Sequence, residues 1–146
     1  MEKNYDSLKL DRQICFPLYA CSRIVVKQYR PYLAALGLTY TQYITMLVLW
    51  EEEELGAKDL GERLYLDSGT LTPVLKSLEA KGLVTRRRSL VDERVLLLTL
   101  TDKGRAMKDQ AVDIPAQLSG CLHMDQEDAE ALYQLLYKVI GGLTDG

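Results

Sequence analysis

One stretch of the chain, residues 67–104, restricts the fold more than any other stretch does. It reads DSGTLTPVLKSLEAKGLVTRRRSLVDERVLLLTLTDKG. Its first part carries apolar residues at i, i+3, i+4 and i+7, the spacing of one stripe along a helix. These residues are Leu71, Val74, Leu75 and Leu78. Asp67 or Ser68 can cap the start of this helix, and Gly82 can end it.

Two short β runs follow that helix, at residues 83–90 and 94–100. Residues 91–93 supply the turn between them, and arginines fall on both runs. A shorter helical pattern at residues 57–66 precedes the first helix. Helix, turn, helix and basic hairpin in this order predict a winged helix-turn-helix over residues 57–104, in a fold that is mainly α with a small β wing.

The polar face of the second helix and the arginines of the hairpin indicate that the chain binds double-stranded DNA. In this fold the second helix enters a major groove, and the hairpin reaches an adjacent groove or the phosphates. Residues 76–108 hold nine Lys or Arg and four Asp or Glu, a local charge of +5 in a chain whose net charge is −3. Such a focused basic segment suits a polyanion, although a solvated hairpin with ordinary surface arginines is the alternative. The candidate contacts are Ser68, Thr70, Thr72, Lys76, Arg86 and Arg94.

Length and composition set the remaining limits. The chain has 146 residues, the size of one domain, and its hydrophobic content of 47% suffices for a core. No apolar run reaches the ~18 residues of a membrane helix, and the N-terminus lacks a signal-peptide pattern. We therefore expect a single domain over residues 1–146, in a cytoplasmic protein without a membrane partner.

The cysteines argue against a metal site. Cys15, Cys21 and Cys121 cannot all pair within one chain, and neither a CxxC motif nor a Cys/His cluster is present. We expect free thiols, no bound metal and no cofactor. For Cys15 alone, the pattern favours a buried, small hydrophobic residue over a reactive thiol. Cys21 lies about 240° around a helix from Cys15, so we expect it to face elsewhere and to serve packing.

The segment before the winged unit predicts two helices. Residues 7–30 carry an apolar stripe at helical spacing, with Pro17 expected to bend this helix and Pro31 to end it. A connection follows at residues 32–38, with or without a helical turn, and ends at Gly37. Residues 40–53 are apolar on most sides, which is typical of a buried central helix.

Cap signals mark the limits of further helices. Thr39 with Gln42 can form a capping box before the central helix. Thr101 can cap a helix over residues 102–114, and Pro115 then marks a boundary or a bend.

The last helix is predicted at residues 126–140. Asp125 can cap it, and Gly141 with Gly142 is expected to end it. The end segments, 7–30 and 102–142, are amphipathic and would expose their apolar stripes outside the winged unit. We expect them to be dimerisation helices that pack against a second copy of the chain, and a monomer whose end helices fold back is the alternative.

These patterns resemble the MarR family of transcription regulators, and more narrowly the organic-hydroperoxide-resistance regulators within it. The resemblance covers nearly the whole chain. The elements DER and LT..G are typical of the wider family, whereas the first cysteine in its aromatic setting and the string LDSGTLTP are typical of the peroxide-sensing branch. The segments that carry it are LDRQICFPLYACSR (10–23), LTYTQY (38–43), GERLYLDSGTLTPVLKSLE (61–79), DER (92–94) and LTDKG (100–104).

The resemblance implies a redox sensor. Cys15 matches the reactive cysteine, and Tyr29 and Tyr40 match two tyrosines whose hydroxyls are expected to reach that sulfur from the partner subunit. Tyr19 matches an aromatic residue that lines the same pocket. Cys121 lies where some members of the branch carry a second cysteine that closes a disulfide to the partner chain. Because hydrogen bonds to a thiolate favour this reactive form, two tyrosine hydroxyls can activate a cysteine without a lysine.

On the DNA side, the resemblance assigns Ser68, Thr70 and Thr72 to the face of the recognition helix. It assigns Asp92 and Arg94 to the wing, as a pair in which the carboxylate orients the arginine that enters the minor groove.

Pro73 complicates the recognition helix, because proline is favoured in the first turn of a helix. The helix either starts at Thr72 or starts at Ser68 with a local distortion at Pro73. We expect the start at Ser68, because the resembling sequences carry the same string.

Three functions compete. We expect a dimeric repressor that binds an inverted-repeat operator, senses organic hydroperoxides by oxidation of Cys15 and then releases the DNA. A second hypothesis is a MarR-type repressor that responds to a small apolar or phenolic ligand, with Cys15 incidental. A third, from the enzyme class, is a thiol peroxidase, which would gain nothing from Arg86 or Arg94.

Overall fold

The structure, a computed structural model, describes residues 1–144. Two short 3-10 turns, Asp6–Leu8 and Leu10–Arg12, come first. The elements that follow are α1 (Cys15–Leu36), α2 (Tyr40–Glu52), β1 (Glu54–Gly56), α3 (Ala57–Leu64), α4 (Ser68–Ala80), β2 (Val84–Arg88), β3 (Leu96–Leu100), α5 (Asp102–Ala111), α6 (Ile114–Ser119) and α7 (Gln126–Thr144). The chain divides into two compact units, Met1–Ile114 and a second unit from Pro115 onward. The prediction of one domain over residues 1–146 stays a prediction.

Helices α3 and α4 with the hairpin β2–β3 form the predicted winged helix-turn-helix. Strand β3 lies in the middle of a three-stranded antiparallel sheet of order β1-β3-β2. In its register, Arg86 of β2 is opposite Leu98, and Thr99 is opposite Glu54 of β1. The fold class, mainly α with a small β wing, is confirmed. The sequence pattern does not predict β1, which is only three residues long.

Helix α2 lies in the core of the first unit, as its apolar composition predicts. Met46 and Leu49 are fully buried, and burial of such side chains is the main stabilising contribution to folding. The indole N–H of Trp50 donates a 2.8 Å hydrogen bond to the carbonyl oxygen of Gly104 in α5. A Cβ atom at Gly104 would clash with the carbonyl oxygen of Leu83, so α5 needs glycine where it passes this strand end.

The predicted helix caps are present. Thr39 and Gln42 form a reciprocal capping box for α2, in which the Thr39 hydroxyl and the Gln42 side chain each accept from the other residue's backbone N–H. Asp67 accepts the Thr70 N–H at 2.7 Å, so α4 begins at Ser68, as expected. The other two caps are Thr101, which accepts from Gly104 at 3.0 Å, and Asp125, which accepts from Asp128 at 2.8 Å.

The predicted limits of the first helix are wrong at its start. The pattern at residues 7–30 predicts helix from residue 7, but α1 begins at Cys15 because the residues before it form the two 3-10 turns. This start places Pro17 in the first helical turn. Backbone N–H groups there have no acceptor within the helix, so Pro17 costs no hydrogen bond and the expected cause of a bend is absent.

The predicted end of α1 at Pro31 is also wrong, because the helix continues through the proposed connection at residues 32–38 as far as Leu36. Pro31 does remove one backbone hydrogen bond. Packing outweighs this loss, since Leu33 is buried at 2% exposure and Leu36 packs against the same core. Gly37, at a φ of 67°, is the residue that ends the helix, because glycine adopts a left-handed conformation without strain.

Other helix ends differ from their predicted positions. Helix α3 ends at Leu64 instead of residue 66, and the helix predicted at residues 102–114 ends at Ala111, as α5. Pro115 lies in the first turn of a further helix, α6. Helix α7 continues through Gly141 and Gly142 to Thr144. A glycine weakens a helix but does not end it unless its φ becomes positive, and among the described glycines only Gly37 and Gly82 have positive φ values.

Within residues 1–144, no single helix is long and apolar enough to cross a membrane. The pair α1 and α2, bent by 69° at the break between them, has together the length and composition of a broken span.

Candidate DNA interface and thiol centre

Helix α4 carries a buried apolar stripe and an exposed polar face. Leu71, Leu75 and Leu78 of the stripe are at most 3% exposed, so their burial fixes which face of α4 looks outward. The exposed residues of that face are Ser68, Thr70, Thr72 and Lys76. Hydroxyls and an ammonium group on one exposed helical face can bind phosphates and base edges.

A hydrogen-bond network ties α4 to the helices that precede it. The Gln42 side chain, which is 7% exposed, donates to the Ser77 hydroxyl at 2.9 Å. The Lys81 ammonium group donates to the Gln42 side-chain oxygen at 2.7 Å and to the Gly37 carbonyl oxygen at 2.5 Å. Gln42 therefore joins the start of α2 to α4, beyond its role in the capping box. The sequence predicts the capping box only, because the other partners lie 35 or more residues away.

The structure brings Asp92 and Arg94 together in the wing. The two carboxylate oxygens of Asp92 accept from Nε and Nη2 of Arg94 at 3.1 and 3.2 Å, and Oδ1 also accepts the Arg94 backbone N–H at 3.1 Å. These hydrogen bonds hold the pKa of Asp92 below its usual value, and those from the Arg94 guanidinium have the largest effect. The Arg94 side chain is nevertheless 90% exposed, so it combines a fixed orientation with full access to a ligand.

The neighbouring wing arginines differ in their availability. Arg86 donates through Nη2 to a Glu79 carboxylate oxygen at 3.0 Å, and its side chain is only 23% exposed. Arg87 pairs with Glu54 at 3.3 Å. Arg86 therefore joins the wing to α4 in the free chain, and a phosphate would have to compete with Glu79 for it. Among residues 1–144, the Arg88 side chain takes part in no hydrogen bond or ion pair, and its exposure was not predicted from the basic run.

The Cys15 thiol lies at the first residue of α1 and is exposed. The positive end of a helix dipole favours negative charge at this position. A shallow pocket is lined by Lys9, Leu10, Asp11 and Phe16, and Phe16 is the residue that follows Cys15 in the chain. Tyr19 is 59% exposed, and the Arg23 guanidinium carbon lies 5.4 Å from the centroid of its ring. Both Phe16 and Tyr19 thus leave aromatic surface accessible within four residues of Cys15.

Tyr29 and Tyr40 are brought together inside the first unit. Their ring centroids are 4.8 Å apart, and the Tyr43 ring lies 5.6 Å from that of Tyr29. Burial, with smaller effects of Tyr40 and Tyr43, raises the pKa of Tyr29 to about 12. Burial also raises the pKa of Tyr40. Both hydroxyls therefore stay protonated at neutral pH and remain hydrogen-bond donors.

Helix geometry separates these tyrosines from the thiol of their own chain. Cys15 and Tyr29 are 14 residues apart on α1, and a rise of 1.5 Å per residue separates them by about 21 Å along the axis. Neither side chain spans that distance. A contact between the Cys15 sulfur and these hydroxyls thus requires a second copy of the chain.

The other cysteines are exposed as well. Cys121 follows α6 in the second unit, and its thiol lies 3.5 Å from the carbonyl oxygen of Gln117. Cys21 is exposed on α1, so the packing expected of it is not provided by its own chain. No group of three or more His, Cys, Asp or Glu side chains within residues 1–144 has an arrangement that could hold a metal ion.

Comparison with known proteins connects this geometry to a family. The family described as transcriptional regulator SarA/Rot matches residues 27–111, from within α1 to the end of α5. The organic hydroperoxide resistance transcriptional regulator of Bacillus subtilis (strain 168) is 50% identical over 140 residues, which cover 96% of this chain and 95% of the relative.

Two solved structures are similar over most of their length, and both are of AbfR, a protein of Staphylococcus epidermidis. Reduced AbfR bound to DNA has a TM-score of 0.78 and 34% identity, with 94% of this chain and 96% of that chain covered. Disulfide-formed AbfR has a TM-score of 0.66 and 37% identity, with 92% and 95% covered.

Proposed function

Because the chain belongs to the MarR family of transcription regulators, and within it to the organic-hydroperoxide-resistance branch, we propose that it is a homodimeric repressor that loses its operator when an organic hydroperoxide oxidises Cys15. The observation that carries this proposal is the separation of about 21 Å along α1 between Cys15 and Tyr29. Tyr29 and Tyr40 are protonated and half-buried, and together they form a pair of hydrogen-bond donors. Cys15 of the same chain lies too far away to accept from them. A two-fold dimer supplies the missing thiol.

The DNA-binding half of the proposal rests on α4 and the wing. The Ser68, Thr70, Thr72 and Lys76 face of α4 enters a major groove, and Arg94, held by Asp92, enters the neighbouring minor groove. Two copies related by a two-fold axis read an inverted repeat with half-sites about one helical turn, ~34 Å, apart or a multiple of it. Such a protein acts on DNA in the cytoplasm and needs neither a metal nor a cofactor.

The sensing half rests on thiolate chemistry. The Cys15 thiolate attacks the outer oxygen of the hydroperoxide, the O–O bond breaks, and the alkoxide leaves as an alcohol after taking up a proton. The sulfur becomes a sulfenic acid. Hydroxyls of Tyr29 and Tyr40 from the partner subunit donate hydrogen bonds to the thiolate, and Tyr19 with Phe16 contributes apolar surface for an alkyl chain.

The second step uses Cys121. Its thiol condenses with the Cys15 sulfenic acid, forms a disulfide and releases water. A disulfide needs Cα atoms within about 7 Å, so the bond ties the start of α1 to the turn after α6 and shifts the dimer away from its DNA-bound state. The disulfide-formed state of AbfR supports such a step for this chain without identifying its cysteines.

The test begins with an operator duplex that the wild-type protein selects from a random-sequence pool. Its affinity is measured by fluorescence anisotropy before and after one equivalent of cumene hydroperoxide, and again after dithiothreitol. Wild type should release the duplex on oxidation and recover it on reduction. Cys15→Ser should bind equally well and ignore the peroxide, and Cys21→Ser is the matched control that should behave as wild type.

Other outcomes point to the competing functions. Release of DNA from Cys15→Ser by a small phenolic ligand, in the presence of dithiothreitol, would favour the ligand-responsive repressor. Sustained consumption of hydroperoxide together with failure to select any duplex would favour the thiol peroxidase.

A further inference from the structure

The tip of the wing carries two neighbouring apolar residues that the proposed function does not use. Leu90 is 94% exposed and Val91 is 98% exposed. Single apolar residues on a surface are ordinary. Here two adjacent apolar residues lie at the end of a hairpin, three residues before the exposed Arg94. They form a small apolar projection, and its exposure to water is unfavourable in the free protein.

Hydrogen bonds hold this projection in a defined turn. The Ser89 hydroxyl oxygen accepts from the backbone N–H groups of Val91 at 3.2 Å and Asp92 at 3.4 Å. The Val95 N–H donates to the Asp92 carbonyl oxygen at 3.0 Å, and the Ser89 N–H donates to the Val95 carbonyl oxygen at 2.9 Å. Leu90 and Val91 are therefore presented from a closed loop between fixed points.

We propose that Leu90 and Val91 enter the DNA minor groove together with Arg94 and pack against the deoxyribose sugars of its walls. The inference rests on the proposed function, because it requires that the wing reach the minor groove. That groove is about 6 Å wide, and apolar side chains are a recurrent means of contact for proteins that bind it. Contact with sugars adds affinity without reading a base and without neutralising a phosphate.

Charge limits how this tip can lie against DNA. Residues 89–95 carry Asp92, Glu93 and one cation, Arg94, for a net charge of −1. Two carboxylates beside the apolar pair oppose a position directly on the phosphates or on an anionic lipid surface. Within the groove the apolar pair meets sugar C–H groups, and the Arg94 guanidinium, which also offsets the charge of the Asp92 carboxylate bound to it, meets the strong negative potential.

Salt dependence separates the apolar contact from the ionic one. In the selected operator duplex, Leu90→Ser/Val91→Ser should raise Kd by about ten-fold at every salt concentration and leave the slope of log Kd against log salt unchanged. Arg94→Ala should instead make the slope shallower by about one unit. The conservative pair Leu90→Met/Val91→Ile should restore wild-type affinity, because it keeps the apolar surface.

A separate variant tests whether the hydrogen bonds of Ser89 hold the tip in position for binding. Ser89→Ala removes the acceptor for two backbone N–H groups while keeping both apolar side chains, so it should give a smaller rise in Kd, again with the wild-type slope. Circular dichroism and the melting temperature should be unchanged in the variants at Leu90 and Val91, since both side chains are exposed. The melting temperature of Ser89→Ala is measured beside them, because Ser89 is half-buried and its hydroxyl accepts two hydrogen bonds in the turn.

The outcomes distinguish this inference from the proposed function. If wild type selects no duplex at all, the proposed function fails. If wild type selects a duplex and the double serine variant binds it equally well, only the inference fails. A double serine variant that binds DNA normally but loses binding to a partner protein would assign the tip to that protein, and this result also overturns the inference.

Discussion

Arg94 combines exposure with a fixed orientation, and these are the two properties that a DNA-contacting side chain needs. Its guanidinium is held by both oxygens of Asp92, whose lowered pKa keeps it ionised at neutral pH. Arg94→Ala should weaken operator binding by about 1–3 kcal/mol and make the salt slope shallower by about one. Arg87→Ala is the matched control, because the Arg87 side chain is only half-exposed and pairs with Glu54 of β1, whereas the Arg94 side chain is 90% exposed. Wild-type affinity of Arg94→Ala at matched salt would contradict a role for the wing.

Removal of the tyrosine hydroxyls tests whether they activate Cys15. Tyr29→Phe and Tyr40→Phe each remove one donor and keep the ring, so the oxidation of Cys15 by cumene hydroperoxide should slow. Stopped-flow measurement of thiol loss gives the rate. Tyr43→Phe, in the same ring cluster, is the control and should react as wild type does. The assignment fails if the Tyr29→Phe/Tyr40→Phe double variant reacts at the wild-type rate.

The raised pKa of Tyr29 also predicts a pH dependence of stability. Its value of about 12 in the folded chain lies above the ordinary value of 10.0. A group whose pKa is raised by folding stabilises the protein fully below its unfolded pKa and loses that contribution as pH rises through the folded value. Stability should therefore fall between about pH 10 and 12. Urea unfolding over this range should show a flatter fall in Tyr29→Phe, and an identical fall would refute the assignment.

At the scale of the elements, the Gln42–Ser77–Lys81 network determines how α4 is held. Lys81→Met keeps the aliphatic stem but removes the donor to Gln42 and to the Gly37 carbonyl oxygen. It should lower the free energy of unfolding by about 1–3 kcal/mol and weaken operator binding, because α4 loses one of its supports. Lys76→Met, on the exposed face of the same helix, should weaken DNA binding without changing stability. Equal unfolding free energies of the two variants would remove the supporting role.

The elements that the sequence predicts well are those encoded by local signals. The helix caps at Thr39, Asp67 and Thr101 join residues three apart, so the starts of α2, α4 and α5 can be predicted from the sequence. Long-range packing overrides local rules elsewhere. Helix α1 continues through Pro31 because its last turn is buried, and β1 exists only because it pairs with β3, more than 40 residues later.

The same distinction applies to the candidate site. The polar face of α4 and the Asp92–Arg94 pair follow from spacing within one element. The Arg86–Glu79 and Gln42–Ser77 pairs each join two different elements, so no local sequence pattern predicts them. Whether Cys15 meets a tyrosine depends on a second copy, which the pattern of one chain can imply only through unpartnered apolar surface.

Exposed apolar side chains in each of the two units support a dimer. In the first unit, Leu18 and Ile24 of α1 are 45% and 61% exposed. In the second unit, Tyr133 and Leu135 of α7 are 64% and 59% exposed. Apolar side chains concentrated on helices in this way are typical of surfaces that bind another protein. A second copy of the chain is the partner that the proposed function requires.

The last prediction concerns which chains the oxidised cysteines join. In a Cys21→Ser background, Cys15→Ser homodimers lack the sensing thiol and Cys121→Ser homodimers lack the second one, so neither should form a linked dimer with hydroperoxide. Subunits of the two variants are then mixed and exchanged. In the mixed dimer, the intact Cys15 of one subunit can meet the intact Cys121 of its partner, and non-reducing mass spectrometry should detect one covalent link.

The mixed dimer separates the mechanisms because a link within one chain cannot form in it. Cumene hydroperoxide should join the mixed dimer and release its operator duplex, while the Cys121→Ser homodimer should stop at the sulfenic acid, which a dimedone adduct reports. If wild type releases DNA and the mixed dimer stays unlinked, Cys121 has no resolving role between subunits. Oxidation of Cys15 followed by reaction with a small thiol would then be sufficient, because a bulky adduct at the start of α1 can disturb the dimer without any second cysteine.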